Sequence, residues 1–244
     1  MVFWEQFMKK LKKMNNLLEF EEKIKTNFND KNLLKQSLIH RSYMNEHPKS
    51  NLKNNERLEF LGDAVLELVI TKLLFKKFPD KPEGELTCLR ASLVNTKSLA
   101  RISAKLKINK YLYLSKGEIK SVNRQKDALL ADAFEAIIGA IYLDKGIEEA
   151  EKFIKRYLWP QLAMILKLEL YLDPKSHLQE ITQEKFKITP HYEIMEERGP
   201  DHFKRFVSGV FLEKKLLSTG EGKSKQSSET NAAKKALKKI EIKN

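Results

Sequence analysis

Acidic residues recur at helical spacing in the stretch NNERLEFLGDAVLEL, which covers residues 54–68. They are Glu56, Glu59, Asp63 and Glu67, separated by three, four and four positions. Residues three or four apart lie on the same face of a helix, so these side chains form one acidic stripe with leucine and valine opposite. Such a stripe is usually a solvated surface. Taken alone, it leaves both a surface role and a functional site open.

A second pair of acids lies in ALLADAFEAIIGAIYL, residues 128–143, where apolar residues cover almost the whole circumference of the predicted helix. Only Asp132, Glu135 and Gly139 interrupt them, so this helix should be largely buried. Buried carboxylates are costly unless cations or a metal compensate them. The competing interpretation is a structural salt bridge to an arginine such as Arg57 or Arg90.

If the two acidic stripes face each other, the carboxylates that converge include no His or Cys. The converging set is Glu59, Asp63, Asp132 and Glu135. All-oxygen ligation suits Mg²⁺ rather than zinc, and the single cysteine, Cys88, has no His or Cys at ligand spacing. Because Mg²⁺ keeps positions for water and for phosphate oxygens, the pattern predicts a phosphate-hydrolysing site.

The elements that must position these carboxylates are helices. From about residue 19 to 170 nearly every apolar run follows a 3.6-residue period, with breaks at sites that include Asn29-Asp30 and Gly146. We therefore expect an all-helical domain over 19–170. Ahead of it, residues 1–18 predict a short basic amphipathic helix that lies on a membrane surface, docks on the body of the protein or remains a loose extension. We assign that extension no function.

The pattern changes after Asp173-Pro174, so we place a linker near residue 170. A short helix should run to about Lys187 and a last helix should begin near Ser224. Between them lie three β-like runs, around 191–196, 203–212 and 215–218. The chain is therefore predicted to be mainly α, with a small α-β-β-β-α domain over 173–244.

The net charge of +13 points to a polyanionic partner, either nucleic acid or an anionic membrane surface. Residues 173–244 carry 15 Lys and Arg against 11 Asp and Glu, so both domains are basic and both should touch the partner. Apolar runs are too short to span a bilayer, and the first residues lack a signal-peptide pattern. We expect a soluble, cytoplasmic protein without a membrane partner.

Four separated motifs, in this order, carry a resemblance to bacterial ribonuclease III beyond the first 18 or so residues. They are LIHRSY (38–43), NERLEFLGDAVL (55–66), GELTCLRASLVN (84–95) and LLADAFEAIIGAIYLD (129–144). The resemblance implies an endonuclease that cuts double-stranded RNA with Mg²⁺, or with Mn²⁺ as a substitute. It also implies products with 5′ phosphates, 3′ hydroxyls and short 3′ overhangs, and a role in processing structured precursors such as ribosomal, messenger and transfer RNA.

Residue by residue, the resemblance implies that Glu59, Asp63, Asp132 and Glu135 hold the metal. Among them Asp63 and Glu135 resemble the catalytic positions, and Glu56 resembles a further acid of the family. Phe60, at the edge of the acidic stripe, would be core by default, but it matches an aromatic that inserts into a partner subunit. A homodimer with two cutting centres is therefore implied.

The tail is similar to the double-stranded RNA-binding domain, through DPKSHLQEITQ, GPDHFKRF and GEGKSKQSSETNAAKKAL. This similarity implies minor-groove contacts by Ser176, Gln179 and Glu180 on the first helix and by His202 in a loop between strands. It also implies phosphate contacts by Lys223 and Lys225 at the start of the last helix. Gln226 and Ser228 depart from the family pattern, which predicts one weaker phosphate contact.

A different function class competes with the enzyme, namely a protein of the same fold that holds duplex RNA without cutting it. The intact carboxylates argue against it, because a pure binder gains nothing from acids placed beside a polyanion. A membrane-associated protein built around residues 1–18 explains only a small part of the chain.

Overall fold

The computed structural model describes residues 16–48, 50–121, 126–168, 171, 173–200 and 203–241. The chain divides into two compact units, Met1–Glu169 and Leu170–Asn244. The division falls beside the linker expected near residue 170. Most of the amphipathic helix predicted over 1–18 lies outside the described residues.

The first unit is all helical over its described residues. Its elements are α1 (16–24), α2 (Lys31–Ser37), α3 (Arg41–Glu46), α4 (Glu56–Lys77), α5 (Glu83–Val94), α6 (Thr96–Lys105), a 3₁₀ turn (Ile108–Lys110), α7 (Lys116–Ser121), α8 (Lys126–Tyr157) and α9 (Gln161–Lys167). Local sequence sets several helix starts. Asp30 accepts a hydrogen bond from the Asn32 amide, and Asn95 accepts one from the Ser98 amide, so each satisfies a free N–H at a helix beginning.

Helix α8 contains a sharp change of direction at Gly146, whose φ of 80° and ψ of −177° are not helical. Glycine adopts this backbone without a Cβ clash, which explains the break expected there. Just before it, the Asp144 carboxylate accepts hydrogen bonds from the Asn29 and Asp30 amides at 2.8 Å each. The loop before α2 is thereby attached to α8.

The core of the first unit lies where α4 and α8 pack against each other. The fully buried side chains at this packing include Leu66, Ile70, Phe134, Ile137 and Ile141. Burying each one contributes roughly 1.5–3 kcal/mol, so this pair of helices supplies a large share of the unit's stability. Over the residues that the structure describes, no helix is long and apolar enough to cross a bilayer.

The second unit has the α-β-β-β-α order that the sequence predicts. It consists of α10 (Pro174–Phe186), β1 (His191–Arg198), β2 (Arg205–Leu212), β3 (Lys215–Gly222) and α11 (Lys225–Glu241). The three strands form an antiparallel sheet in the order β1-β2-β3. Leu178, Val210 and Ala233 lie in the core between the helices and the sheet. The mainly α fold class is thus confirmed.

Strand β3 is longer than predicted, because it continues to Gly222 rather than ending near Ser218. Glycine is unfavourable in an isolated strand, so Gly220 and Gly222 weaken the β pattern beyond Ser218. In the fold, however, a Cβ on Gly220 would lie 2.1 Å from the Ala232 amide nitrogen. The glycine allows α11 to lie directly on the strand, and this packing outweighs local propensity.

Candidate active site

Two glycines bring α4 and α8 into backbone contact. A Cβ on Gly62 would lie 1.8 Å from the Glu135 carbonyl oxygen, and one on Gly139 would lie 2.2 Å from the Leu58 carbonyl oxygen. Any side chain at either position would push the helices apart. Glu59 precedes Gly62 by about one turn and Glu135 precedes Gly139 by about one turn, so the close crossing places the two carboxylates beside each other.

The structure brings together three of the four acids that the sequence singles out. Carboxylate oxygens of Glu59, Asp132 and Glu135 lie within 4.8 Å of one another, and each side chain is partly buried. Asp63 is exposed and lies outside this group. It is nevertheless near enough for its charge to raise the pKa values of Glu59 and Glu135.

Burial and mutual repulsion raise the pKa values of these acids. Burial raises the pKa of Glu135 to about 8, and the charges of Asp63, Asp132 and Glu59 add to the effect. The pKa of Glu59 is also raised, first by burial and then by neighbouring acids. Burial raises the pKa of Asp132, although the charges of His40 and Arg41 lower it. The positive charge near the cluster is therefore too weak to offset burial and the repulsion between the acids.

The alternative of a structural salt bridge does not describe this site. Within the described part of the chain, no Lys or Arg side chain lies within 4.0 Å of the carboxylates of Glu59, Asp132 or Glu135. Arg90 instead donates to the Thr71 hydroxyl at 3.0 Å, and Arg57 is exposed. Three converging carboxylates without nitrogen or sulfur donors form the ligand set that a hard divalent cation such as Mg²⁺ requires.

A cavity of about 530 Å³ opens beside the acids. Glu56, Glu59 and Asp132 line it, together with His40 and Arg41 from the start of α3. We assigned no role to these two basic residues from the sequence, although both lie within the LIHRSY stretch. The available signal was a pair of basic residues just ahead of the acidic helix, but only the fold shows that they share a cavity with Asp132.

Both units of the chain match known protein families. Residues 30–162 match the family described as ribonuclease-III-like, and residues 174–240 match the double-stranded RNA binding motif. The ribonuclease 3 of Nitratiruptor sp. is 47% identical over 95% of this chain and 100% of its own length. That of Bacillus cereus is 46% identical over 91% of this chain and 90% of its own. The chain belongs to the ribonuclease III family.

The protein is accordingly an endoribonuclease, and a solved structure supports the fold of its first unit. The nuclease domain of ribonuclease III from Campylobacter jejuni is 43% identical, with a TM-score of 0.53 over 58% of this chain and 94% of that one. That structure is described as flexible in a region involved in dimer formation.

One face of α4 carries large apolar side chains that the ribonuclease III unit leaves exposed. Phe60, Leu68 and Phe75 are 81%, 61% and 71% exposed, and we call these three residues the Phe60 stripe. They lie on one side of the helix, because positions 8 and 15 residues beyond Phe60 are offset from it by only about 80° and 60° around the axis. Phe60 is therefore not part of the core of this chain, and the stripe is the kind of patch that marks an interface.

In the RNA-binding-motif unit, Ser176, Gln179 and Glu180 are exposed on α10 at spacings of three and four residues. The Ser176 hydroxyl also donates to Asp173 at 2.8 Å, so it takes part in the helix cap. Lys223 is exposed just before α11. His202 lies outside the described residues.

Lys225 and Ser228 differ sharply at the start of α11. Lys225 is exposed, with its ammonium 3.7 Å from a Glu197 carboxylate oxygen. Ser228 is fully buried, and its hydroxyl lies 2.6 Å from that of Ser208. Ser228 therefore belongs to the helix–sheet packing and not to the exposed surface.

Proposed function

We propose that this protein hydrolyses phosphodiester bonds in double-stranded RNA with Mg²⁺, and that Mn²⁺ can replace it. The observation that carries the proposal is the convergence of Glu59, Asp132 and Glu135 carboxylate oxygens within 4.8 Å. These three residues would hold the ion, and Asp63 would complete the acidic centre. A bound Mg²⁺ activates a water and stabilises the negative charge that develops on the phosphate.

The chain's own acids have separate tasks in this mechanism. Water attacks phosphorus, the bond from phosphorus to the 3′ oxygen breaks, and that oxygen takes up a proton from solvent, so the products carry a 5′ phosphate and a 3′ hydroxyl. Asp63, exposed beside the cluster, would accept a proton from the attacking water. The pKa of Glu135 is raised to about 8, mainly by burial. This acid would therefore ionise when it becomes a ligand of the cation. Asp63 and Glu135 are the residues to which we assign catalysis.

The division of labour follows the two units. We assign cleavage to a helical domain over 19–170 and duplex binding to a domain over 173–244. The latter would recognise A-form RNA by shape, through minor-groove and phosphate contacts, with little sequence preference. The contact residues proposed are Ser176, Gln179, Glu180, His202, Lys223 and Lys225.

We also propose that two copies pair through the Phe60 stripe. Pairing would remove three large, exposed apolar side chains from water on each subunit, which favours association. A homodimer has two acidic centres, one for each RNA strand, and staggered cuts would leave short 3′ overhangs. Structured precursors of ribosomal, messenger and transfer RNA in the cytoplasm are the proposed substrates.

The deciding experiment incubates purified protein with end-labelled duplex RNA and with matched single-stranded RNA, in Mg²⁺ or in EDTA. We expect cleavage of the duplex alone, and only with metal. Glu135→Ala should abolish cleavage while leaving duplex binding largely intact, because the acid belongs to the cutting centre. Duplex binding by the wild-type protein without any cleavage would favour the RNA-holding alternative.

A further inference from the structure

Arg41 occupies an unusual place for a surface arginine, because it lines the same cavity as the metal-site acids Glu59 and Asp132. Among the described residues its one ion-pair partner is Glu56, at 3.6 Å between Nη1 and Oε1. Both side chains are well exposed, at 72% and 51%. Exposed pairs of this length contribute little to stability, so Arg41 can exchange Glu56 for another anion at small cost.

His40 is held in a defined tautomer beside it. The Ser42 hydroxyl accepts a hydrogen bond from the Ser115 amide at 3.1 Å and lies 2.8 Å from His40 Nδ1. The Ser42 amide also donates to Nδ1, at 3.3 Å. Nδ1 is therefore an acceptor, and the proton of the neutral ring is on Nε2. Nε2 has no hydrogen-bond partner within the described ranges, so it remains available as a donor.

A polyanion faces an electrostatic barrier at this site, because Glu56, Glu59 and Asp132 line the cavity it must enter. A metal ion offsets part of that repulsion at the acids it touches. A donor pair elsewhere on the cavity lining would hold the phosphate while the acids hold the ion. Arginine suits this task, since its planar guanidinium binds two phosphate oxygens at once.

We propose that Arg41 and His40 are the phosphate-holding side of the cavity. Arg41 leaves Glu56 to bind the non-bridging oxygens of an RNA phosphate at the acidic centre, and His40 Nε2 donates a second hydrogen bond to it. Glu56 orients Arg41 in the free enzyme and competes with RNA for it. This inference rests on the proposed function, and it adds two substrate-binding residues to the cutting domain.

The test compares Arg41→Gln with Lys152→Ala in the full-length protein, using a short RNA duplex. Lys152 is a matched control, because it is also exposed (64%) and paired with an acid, Glu149, at 3.0 Å, but it does not line the cavity. We expect Arg41→Gln to raise KM about tenfold, with a smaller change in kcat. It should also lower the slope of log affinity against log salt by about one, measured in EDTA. Equal effects of the two variants would overturn the proposal.

Two further variants separate a substrate contact from a merely structural one. Glu56→Gln releases Arg41, so the proposal expects a lower KM, whereas a structural role for the pair expects the same loss as in Arg41→Gln. His40→Asn keeps a side-chain acceptor for the start of α3 but loses the Nε2 donor, and it should raise KM severalfold. If the wild-type protein does not cut at all, the proposed function fails, while the salt dependence of binding still decides the role of Arg41.

Discussion

Glu135 shows how one side chain links the fold to the chemistry. Its carboxyl lies partly buried where α4 and α8 cross, and burial with three acidic neighbours raises its pKa to about 8. The folded protein without metal therefore prefers this group protonated, whereas the unfolded chain ionises it near its ordinary value of 4.5. The acid needed for the site is thus a cost to folding until a cation binds.

Replacing Glu135 by Gln should reveal this cost as a dependence on pH. Between about pH 4.5 and 8 the folded wild-type protein keeps a proton that the unfolded chain releases, so wild-type stability falls across this window and levels off above it. The Glu135→Gln variant has no ionisable group at this position, so its stability should not fall in this way. In EDTA we expect equal melting temperatures near pH 4.5 and a variant that melts a few degrees higher at pH 8.5, since about 1 kcal/mol shifts Tm by roughly 2–4 °C at this size.

Circular dichroism melts over that pH range measure the difference directly. Added Mg²⁺ at pH 8 should raise the Tm of the wild-type protein more than that of the variant, because the ion binds the ionised acid. Parallel pH profiles for the two proteins would show that Glu135 ionises normally in the folded state.

The acids could be found from the sequence, but their basic neighbours could not. Asp132 and Glu135 stand out because carboxylates on an otherwise apolar helix need a reason. His40 and Arg41 resemble ordinary surface residues, since their role depends on a cavity shared with Asp132, about 90 positions away. That Asp63 stays outside the close group also depends on side-chain positions that periodicity does not encode.

At the scale of elements, the crossing of α4 and α8 decides whether the site exists. Gly62 and Gly139 let the two backbones touch, and both acidic turns lie next to that contact. Helix periodicity groups the acids of each helix on one face, but it gives the glycines no role. Within a single helical pattern, a glycine only weakens the prediction of a helix. Its role in packing becomes visible when a second helix occupies the space that a side chain would fill.

Gly139→Ala should therefore damage both stability and the site. The new methyl would lie 2.2 Å from the Leu58 carbonyl oxygen, so the helices must separate, at a cost of about 1–3 kcal/mol or more. We expect a lower Tm and weaker stabilisation by Mg²⁺. Gly84→Ala is the control, since nothing lies within 4 Å of its Cβ position in α5. If Gly139→Ala were as stable as that control, the close crossing would not be needed.

At the scale of the whole molecule, the chain forms two separately packed units, to which we assign different tasks. The division and the order of elements were accessible from the sequence, because the hydrophobic period changes after Asp173 and a proline begins the next helix. The surface through which two copies would pair was harder to predict from the sequence. Periodicity showed Phe60 displaced from the main apolar face of α4, but the exposure of all three residues of the Phe60 stripe required the packed unit.

Removing residues 173–244 should weaken duplex binding most at physiological salt. The remaining helical unit is basic, but its phosphate contacts are screened as salt rises. We expect the truncated protein to cut duplex RNA measurably at low salt and poorly in 0.2 M salt, about the physiological range. Cleavage assays at both salt concentrations measure this. Equal activity of the truncated and full-length proteins in 0.2 M salt would contradict our assignment of the second unit.

Phe60→Asp should shift the protein from dimer to monomer. A charge in the middle of an apolar interface is desolvated without a partner, which strongly disfavours association. Sedimentation velocity measures the oligomeric state, and unchanged circular dichroism would confirm that the subunit still folds. Glu148→Lys, which likewise changes the charge at an exposed site but lies off α4, serves as the control. A Phe60→Asp protein that remained dimeric would place the interface elsewhere.

The packing of α4 on α8 also has a consequence in time. Glu135 follows Glu59 by roughly 75 residues, so α4 leaves the ribosome well before the helix that covers it. At about 5–20 residues per second, α4 waits roughly 4–15 s with both its core face and the Phe60 stripe uncovered. We therefore expect the yield of folded enzyme to depend on how well α4 is kept from contact with other chains during those seconds.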